Sequence, residues 1–174
     1  ERITEYTYDA EGHLLTTKRV GDAETAEALT TMEYDAVGNL TSVTDSEHNV
    51  TLFTSHDIMG NVLSKTDARV KVWNYTYDLA GRLKTITDPM SNVTEIFYDA
   101  VGNKVKEVDA EGKETLYGYD DHGLMVKRTD ALLNETLFEY NADGKLIKQT
   151  DAEGKVINYV YDTEGRLTTT IDGN

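Results

Sequence analysis

The sequence predicts an all-β protein: tandem β-hairpin repeats forming one continuous curved or spiralling antiparallel sheet, as a partial shell or open coil. Three observations carry this. A Tyr-Asp-x-x-Gly motif recurs eight times, with small variations, along the 174 residues. The segments flanking it are rich in Val, Ile, Thr and Tyr, which suit a pleated, half-covered surface. A second aspartate column lies eleven residues after most motif tyrosines, so each unit has two turns separated by two short strands.

Tyr8-Asp9…Gly12 is the first copy and Tyr34-Asp35…Gly38 the second. In the third, His56 replaces the tyrosine ahead of Asp57 and Gly60. Tyr77-Asp78…Gly81, Tyr98-Asp99…Gly102 and Tyr119-Asp120…Gly123 follow. Tyr140-Asn141…Gly144, with Asn for Asp, and Tyr161-Asp162…Gly165 complete the array. From His56 onward the period is 21 residues; the first interval is 26 and the second 22, so residues 1–56 carry insertions. The second column reads Asp45, Asp67, Asp88, Asp109, Asp130, Asp151 and Asp172. Residues 1–174 read as a single array of about eight units, each burying its face against its neighbours.

One unit shows how the turns arise: Lys155 to Tyr161, then Asp162-Thr-Glu-Gly165, then Arg166 to Ile171. Asp-x-x-Gly suits a type I turn: the aspartate bonds back to the backbone and Gly takes the positive-φ site. A glycine there makes the bulge that re-enters the ladder. The second turn is looser, as in Asp109-Ala-Glu-Gly-Lys113, Asp88-Pro-Met-Ser-Asn92 and Asp130-Ala-Leu-Leu-Asn134. The one proline, Pro89, falls in such a turn, as a ladder requires.

Alternation then assigns the faces. Two residues before the motif tyrosine stand Tyr6, Met32, Thr54, Tyr75, Ile96, Tyr117, Phe138 and Tyr159, on the face of the motif tyrosine. All eleven tyrosines lie in these two columns. Two residues after Gly stand Leu14, Leu40, Val62, Leu83, Met125, Leu146 and Leu167, with Lys104 the exception. The next column (Leu15, Leu63, Val105, Val126, Ile147) should point the other way, leaving both faces mixed.

Composition agrees with a thin sheet rather than a thick core. Hydrophobic residues make up 39%, with three Phe and one Trp, and the mean hydropathy is −0.52. A formal charge of −15 disfavours nucleic acid and anionic lipid as partners. There is no cysteine for staples or thiol chemistry. No apolar run approaches the roughly 18 residues that span a bilayer, and ERITEYTYDA has no signal-peptide pattern. The chain starts and stops abruptly, as a piece of something longer would.

Tyr77-Asp-Leu-Ala-Gly-Arg-Leu83 and Tyr161-Asp-Thr-Glu-Gly-Arg-Leu167, followed by the second-column aspartates Asp88 and Asp172, resemble the YD or Rhs repeat, and the resemblance covers essentially the whole chain. Proteins with such arrays include bacterial Rhs toxins, shell components of insecticidal toxin complexes and teneurin ectodomains. The resemblance implies a spiralling sheet that forms the wall of a hollow shell around a C-terminal effector, or part of an adhesion ectodomain. It implies a secreted or cell-surface setting, bacterial rather than eukaryotic, with further YD repeats and an enclosed C-terminal domain as partners. It transfers no catalytic residue, and no plugging or self-cleaving core segment is recognised here. Sixteen strands at about 4.8 Å run on the order of 77 Å, about 25 Å across if closed. A folded domain of roughly 100 residues is wider than about 30 Å, so this stretch is wall and not a container. Free strand edges at its ends favour edge-to-edge self-association.

No enzyme, cofactor or metal site is expected. The motif aspartates recur at turn positions, which makes them turn caps. Asn141-Ala-Asp143-Gly144 echoes a calcium loop but lacks its spacing and distal Glu. His13, His48, His56 and His122 lie in different repeats without ligand spacing. A glycan stacked on the tyrosine face is the alternative function; cross-strand aromatic pairing that holds the sheet together is the simpler reading. Asn-x-Thr at Asn39, Asn49, Asn74, Asn92 and Asn134 follows from the repeat's fixed offsets.

Overall fold

The computed structural model describes residues 3–21 and 26–173, which form strands and turns with no helix. The strands are β1 (Ile3–Tyr8), β2 (Leu14–Val20), β3 (Ala28–Tyr34), β4 (Leu40–Thr44), β5 (Val50–His56), β6 (Val62–Thr66), β7 (Val72–Tyr77) and β8 (Leu83–Thr87). They continue as β9 (Val93–Tyr98), β10 (Lys104–Val108), β11 (Glu114–Tyr119), β12 (Met125–Thr129), β13 (Glu135–Tyr140), β14 (Leu146–Thr150), β15 (Val156–Tyr161) and β16 (Leu167–Gly173). Strand order in the sheet is chain order. The all-β repeat architecture expected from the motif is the one observed.

Two compact units divide the chain, Glu1–Val93 and Thr94–Asn174. In the first, each strand from β1 to β8 pairs antiparallel with the next. In the second, β9 to β16 do the same. The insertion behind the 26-residue interval falls between β2 and β3, where residues 22–25 lie outside the described part.

No described hydrophobic residue is buried; the buried residues are Ser42 and Thr129. In β7, Trp73, Tyr75 and Tyr77 are half-buried while Val72, Asn74 and Thr76 are exposed. Stability must therefore come from many cross-strand neighbours, each contributing roughly 0.2–1 kcal/mol, rather than from one dry centre.

Three expectations from the sequence need correction. The second turn is no looser than the first. Asp45 N–H donates to the Asn49 carbonyl and His48 N–H to the Asp45 carbonyl, both at 3.0 Å, the pattern that Asp35, Gly38 and Asn39 make. What differs is the residue at the positive-φ site: His48, Val70, Ser91 and Leu133 take it where Gly112 and Gly154 do in sister turns.

Next, the two columns after the turn glycine do not face opposite ways. Tyr77 pairs with Leu83 but Thr76 pairs with Thr85, so Lys84 is skipped in a bulge. Side-chain parity flips there: Lys84 shares parity with Ile86, which opposes Tyr75, while Leu83 opposes Tyr77. The bulge thus turns both columns toward the tyrosine face. The same skip recurs in the other hairpins, between Thr7 and Tyr8 or between Gly118 and Tyr119 for example.

Finally, Thr54 is not the equivalent of Tyr75. In β5, Phe53 pairs with Lys65 and Ser55 with Ser64, so Thr54 is the extra residue of the 22-residue interval. Phe53 fills the column.

Candidate functional site: the tie between hairpins

Each turn is built on its first residue. Asp35 Oδ1 accepts N–H bonds from Val37 and Asn39 at 3.0 and 2.8 Å, and its Oδ2 accepts from Asn39 Nδ2 at 2.9 Å. Asp57 with Asn61 and Asp99 with Asn103 repeat the clamp. Arg82 Nε donates to Asp78 Oδ2 at 2.7 Å and Arg166 Nε to Asp162 Oδ2 at 2.8 Å. Asp120, whose fourth neighbour is Leu124, keeps only the backbone contacts. So does Asn141, since one amide oxygen suffices to accept from Asp143 and Lys145. The glycines Gly12, Gly38, Gly60, Gly81, Gly102, Gly123, Gly144 and Gly165 all hold positive φ, and in each turn the Gly N–H donates to the first residue's carbonyl.

These bonds stabilise the ionised aspartate. The Asn39 side chain and then its backbone N–H hold the Asp35 carboxyl below its ordinary range. Asn partners do the same for Asp45, Asp57, Asp88 and Asp130. For Asp78 and Asp162 the largest cause is the N–H of Arg82 or Arg166. At Asp9 and Asp99 desolvation pushes upward, yet hydrogen bonds from His13 or Asn103 outweigh it.

The tyrosines do something the sequence did not disclose. Tyr34, Tyr77, Tyr119, Tyr140 and Tyr161 donate their hydroxyls to the carbonyls of Leu14, Val62, Lys104, Met125 and Leu146, at 3.0, 3.0, 2.9, 2.8 and 2.8 Å. Each acceptor stands two residues after the turn glycine of the preceding hairpin. Each also lies beyond the last ladder pair between the two hairpins: β12 and β13 pair only from Lys127–Leu137 onward, for instance. The phenol reaches a carbonyl that the ladder does not. Burial raises the Tyr77, Tyr119 and Tyr140 hydroxyl pKa above the usual phenol value, which keeps them protonated as donors.

Among the described residues no aromatic side chain of the expected cross-strand ladder stands directly opposite another. Tyr75 stands opposite Ile86, Tyr117 opposite Arg128 and Tyr159 opposite Thr170. Cations cover several rings instead: Lys65 lies 5.3 Å from the Trp73 centroid and Lys104 4.4 Å from that of Tyr117. Tyr98 ends β9 opposite Lys104, Tyr8 is exposed opposite Leu14, and His56 opposes Val62.

Asp9, Glu11 and His13 gather three potential ligand atoms within 4.8 Å, an alternate-residue pattern that a search for His-x-x-x-His spacing misses. The same structure explains it without an ion. His13 Nδ1 meets Asp9 Oδ2 at 2.7 Å, in the role that Asn39, Asn61 and Arg82 play in later turns. Its ring stacks on Tyr34, with centroids 4.8 Å apart and planes at 23°.

The geometry defines a class: a hairpin-repeat array in which turn clamps shape each unit and tyrosine hydroxyls join successive units. The family model described as the teneurin YD-shell matches residues 47–174, and the chain belongs to that family. No curated protein matches the sequence. Solved structures share the fold. A TcdB2-TccC3 crystal structure superposes with a TM-score of 0.68 at 16% identity, over 98% of this chain and 11% of the other. The Photorhabdus luminescens Tc holotoxin pore gives a TM-score of 0.67 at 16% identity, over 98% of this chain and 10% of the other. The chain thus spans about a tenth of the length of these structures.

Proposed function

We propose that this chain is a stretch of structural wall in a β-sheet shell, without catalysis of its own. In the parent protein it stands among further YD repeats, and that wall encloses a C-terminal domain in a secreted or cell-surface setting. The motif residues Tyr, Asp and Gly serve architecture, and residues 1–174 act as one array. The observation that carries the reading is the hydroxyl-to-carbonyl bond made by Tyr34, Tyr77, Tyr119, Tyr140 and Tyr161. The groups a catalyst would use are spent on backbone: aspartate oxygens on turn N–H groups, phenol hydrogens on carbonyls. Glycan stacking is disfavoured at Tyr34, Tyr77, Tyr119, Tyr140 and Tyr161, whose rings are half-buried and whose hydroxyls are engaged.

Limited proteolysis of the parent polypeptide tests it. The domain beyond the repeats should resist digestion with the array intact and become sensitive when residues 1–174 are deleted. Equal digestion in both would reject the enclosing role.

A further inference from the structure

Along one rim of the first unit, consecutive hairpin tips are apolar where the fold asks for nothing apolar. The turns opening at Asp35, Asp57 and Asp78 share one hydrogen-bond pattern, so their middle residues stand in equivalent places. Those residues include Val37, Ile58, Met59 and Leu79. Ile58 and Leu79 are fully exposed and Val37 is 82% exposed. After Val101, the second unit builds the same turn around Asp121 and His122, then Asp143, then Glu164. The turn itself therefore does not require the apolar choice. Single exposed aliphatic residues are ordinary; a row of them at one repeated position is not.

The rim is continuous and acidic. Met59 Cε lies 2.9 Å from where a Cβ on Gly81 would stand, and Asn39 Oδ1 lies 3.0 Å from the same point at Gly60, so each turn touches the next. The carboxylates of Asp35 and Asp57 are held by the neutral amides of Asn39 and Asn61, which leaves their charge uncancelled. Of these three turns, that of Asp78 alone holds its carboxylate with a cation, Arg82. The rim runs across the strand ends, so it is the same whatever repeats stand beside the outer strands.

We propose that this rim docks a cationic amphipathic helix, laid across the strand ends with its apolar stripe on Val37, Ile58, Met59 and Leu79. Spacing selects the helix. Successive tips are two strands apart, about 9.6 Å, and a helix returns the same face every seven residues, about 10.5 Å. An extended strand does not match, since one of its faces repeats at about 6.8 and 13.6 Å. A polyproline segment comes round at about 9.3 Å, but such segments seat in aromatic-lined grooves, and these tips are aliphatic. Charge selects the sign. Lysine or arginine flanking the stripe meets the Asp35 and Asp57 carboxylates, whereas a second copy of this rim would set carboxylates against carboxylates. The docking goes beyond the wall role and stands or falls separately from it.

Fluorescence anisotropy on the purified chain provides the test, with a labelled synthetic helix of roughly 18 residues carrying Leu along one face and Lys opposite. Saturable binding that weakens as salt rises is expected. Leu79→Ser and Ile58→Ser should each weaken it about tenfold or more, the effect of losing one aliphatic anchor. Met90→Ser, at an exposed tip on the opposite strand ends, should leave it unchanged. Far-UV circular dichroism checks that all three variants keep the sheet. Absence of saturable binding overturns the proposal. Equal binding of a scrambled peptide of the same composition also overturns it, by reducing the effect to charge attraction, and so does equal binding of the helix with Glu in place of Lys. Stronger binding of a proline-rich peptide, or self-association of the chain that Leu79→Ser abolishes, overturns it by giving the rim another occupant.

Discussion

Tyr140 donates its hydroxyl to the Met125 carbonyl across 2.8 Å, and Met125 is itself the residue opposite Tyr119 in the preceding hairpin. The pattern runs on. Tyr140 opposes Leu146, whose carbonyl accepts from Tyr161, and Tyr161 opposes Leu167. Ladder pairs and phenol bonds alternate along the row, so Tyr119, Tyr140 and Tyr161 each belong to two hairpins at once. The ring covers the sheet, and the hydroxyl reaches the neighbour. Removing only the oxygen separates these contributions: Tyr140→Phe should destabilise by about 1 kcal/mol, the net worth of one such bond. A urea titration should show a lower midpoint with an unchanged slope.

His56 breaks the row. It stands where every other unit has tyrosine, and Leu40 holds the place of the accepting residue in the unit before. An imidazole is shorter than a phenol and lacks its terminal hydroxyl. His56→Tyr should therefore stabilise the protein by about 1 kcal/mol, seen as a raised urea midpoint. A lowered midpoint would mean that the extra residue Thr54 tilts the position away from Leu40.

Val70 sits at φ 58°, in the left-handed region where a Cβ costs roughly 1–2 kcal/mol. Its side chain is 79% exposed, so packing offers little in return. Val70→Gly removes the strain, against an entropic loss of about 0.5–1 kcal/mol. The net expectation is stabilisation of up to about 1 kcal/mol, read as a higher melting temperature. The reverse change at the sister position, Gly112→Val, should lower it.

How much was legible beforehand follows from what each residue needs. The turns were readable because Asp35 and Gly38 act within five residues of chain, and local chemistry leaves a local signature. The second turn reads as loose in the sequence because His48, Val70, Ser91 and Leu133 do not look like glycine, yet the backbone forces positive φ on all of them. Faces were harder. A two-residue alternation carries through a strand only while the register holds, and the skip at Lys84 reverses it. One inserted residue likewise moved the column at β5 from Thr54 to Phe53. The tie itself was hidden for a different reason: its acceptor is a backbone carbonyl, so the residue supplying it is free to be Leu, Val, Met or Lys. The tyrosine column was visible, but its partner had no sequence identity to find.

Acid should unfold this protein through its turns. The carboxyl pKa values of Asp35, Asp45, Asp57, Asp88 and Asp130 lie below the ordinary value, chiefly through Asn39, Asn49, Asn61, Asn92 and Asn134. A carboxyl whose folded pKa is depressed contributes stability that is complete above its unfolded pKa and fades as pH falls through the folded one. The loss should thus begin near pH 4, about the unfolded value, and deepen below it, while stability stays flat with respect to these groups toward neutrality. Because many turns share the clamp, their protonation adds along the array and the acid limb should be steep. Asn141 supplies the control that the chain has already made. It accepts from Asp143 and Lys145 through an amide oxygen that does not titrate in this range. Replacing Asp35, Asp57, Asp88 and Asp130 together by Asn keeps the backbone bonds, provided each partner amide rotates to present its oxygen. Circular dichroism followed from pH 7 downward should then show a shallower acid limb with a lower midpoint than in the parent. Superimposable acid limbs would show that the clamps do not govern acid stability.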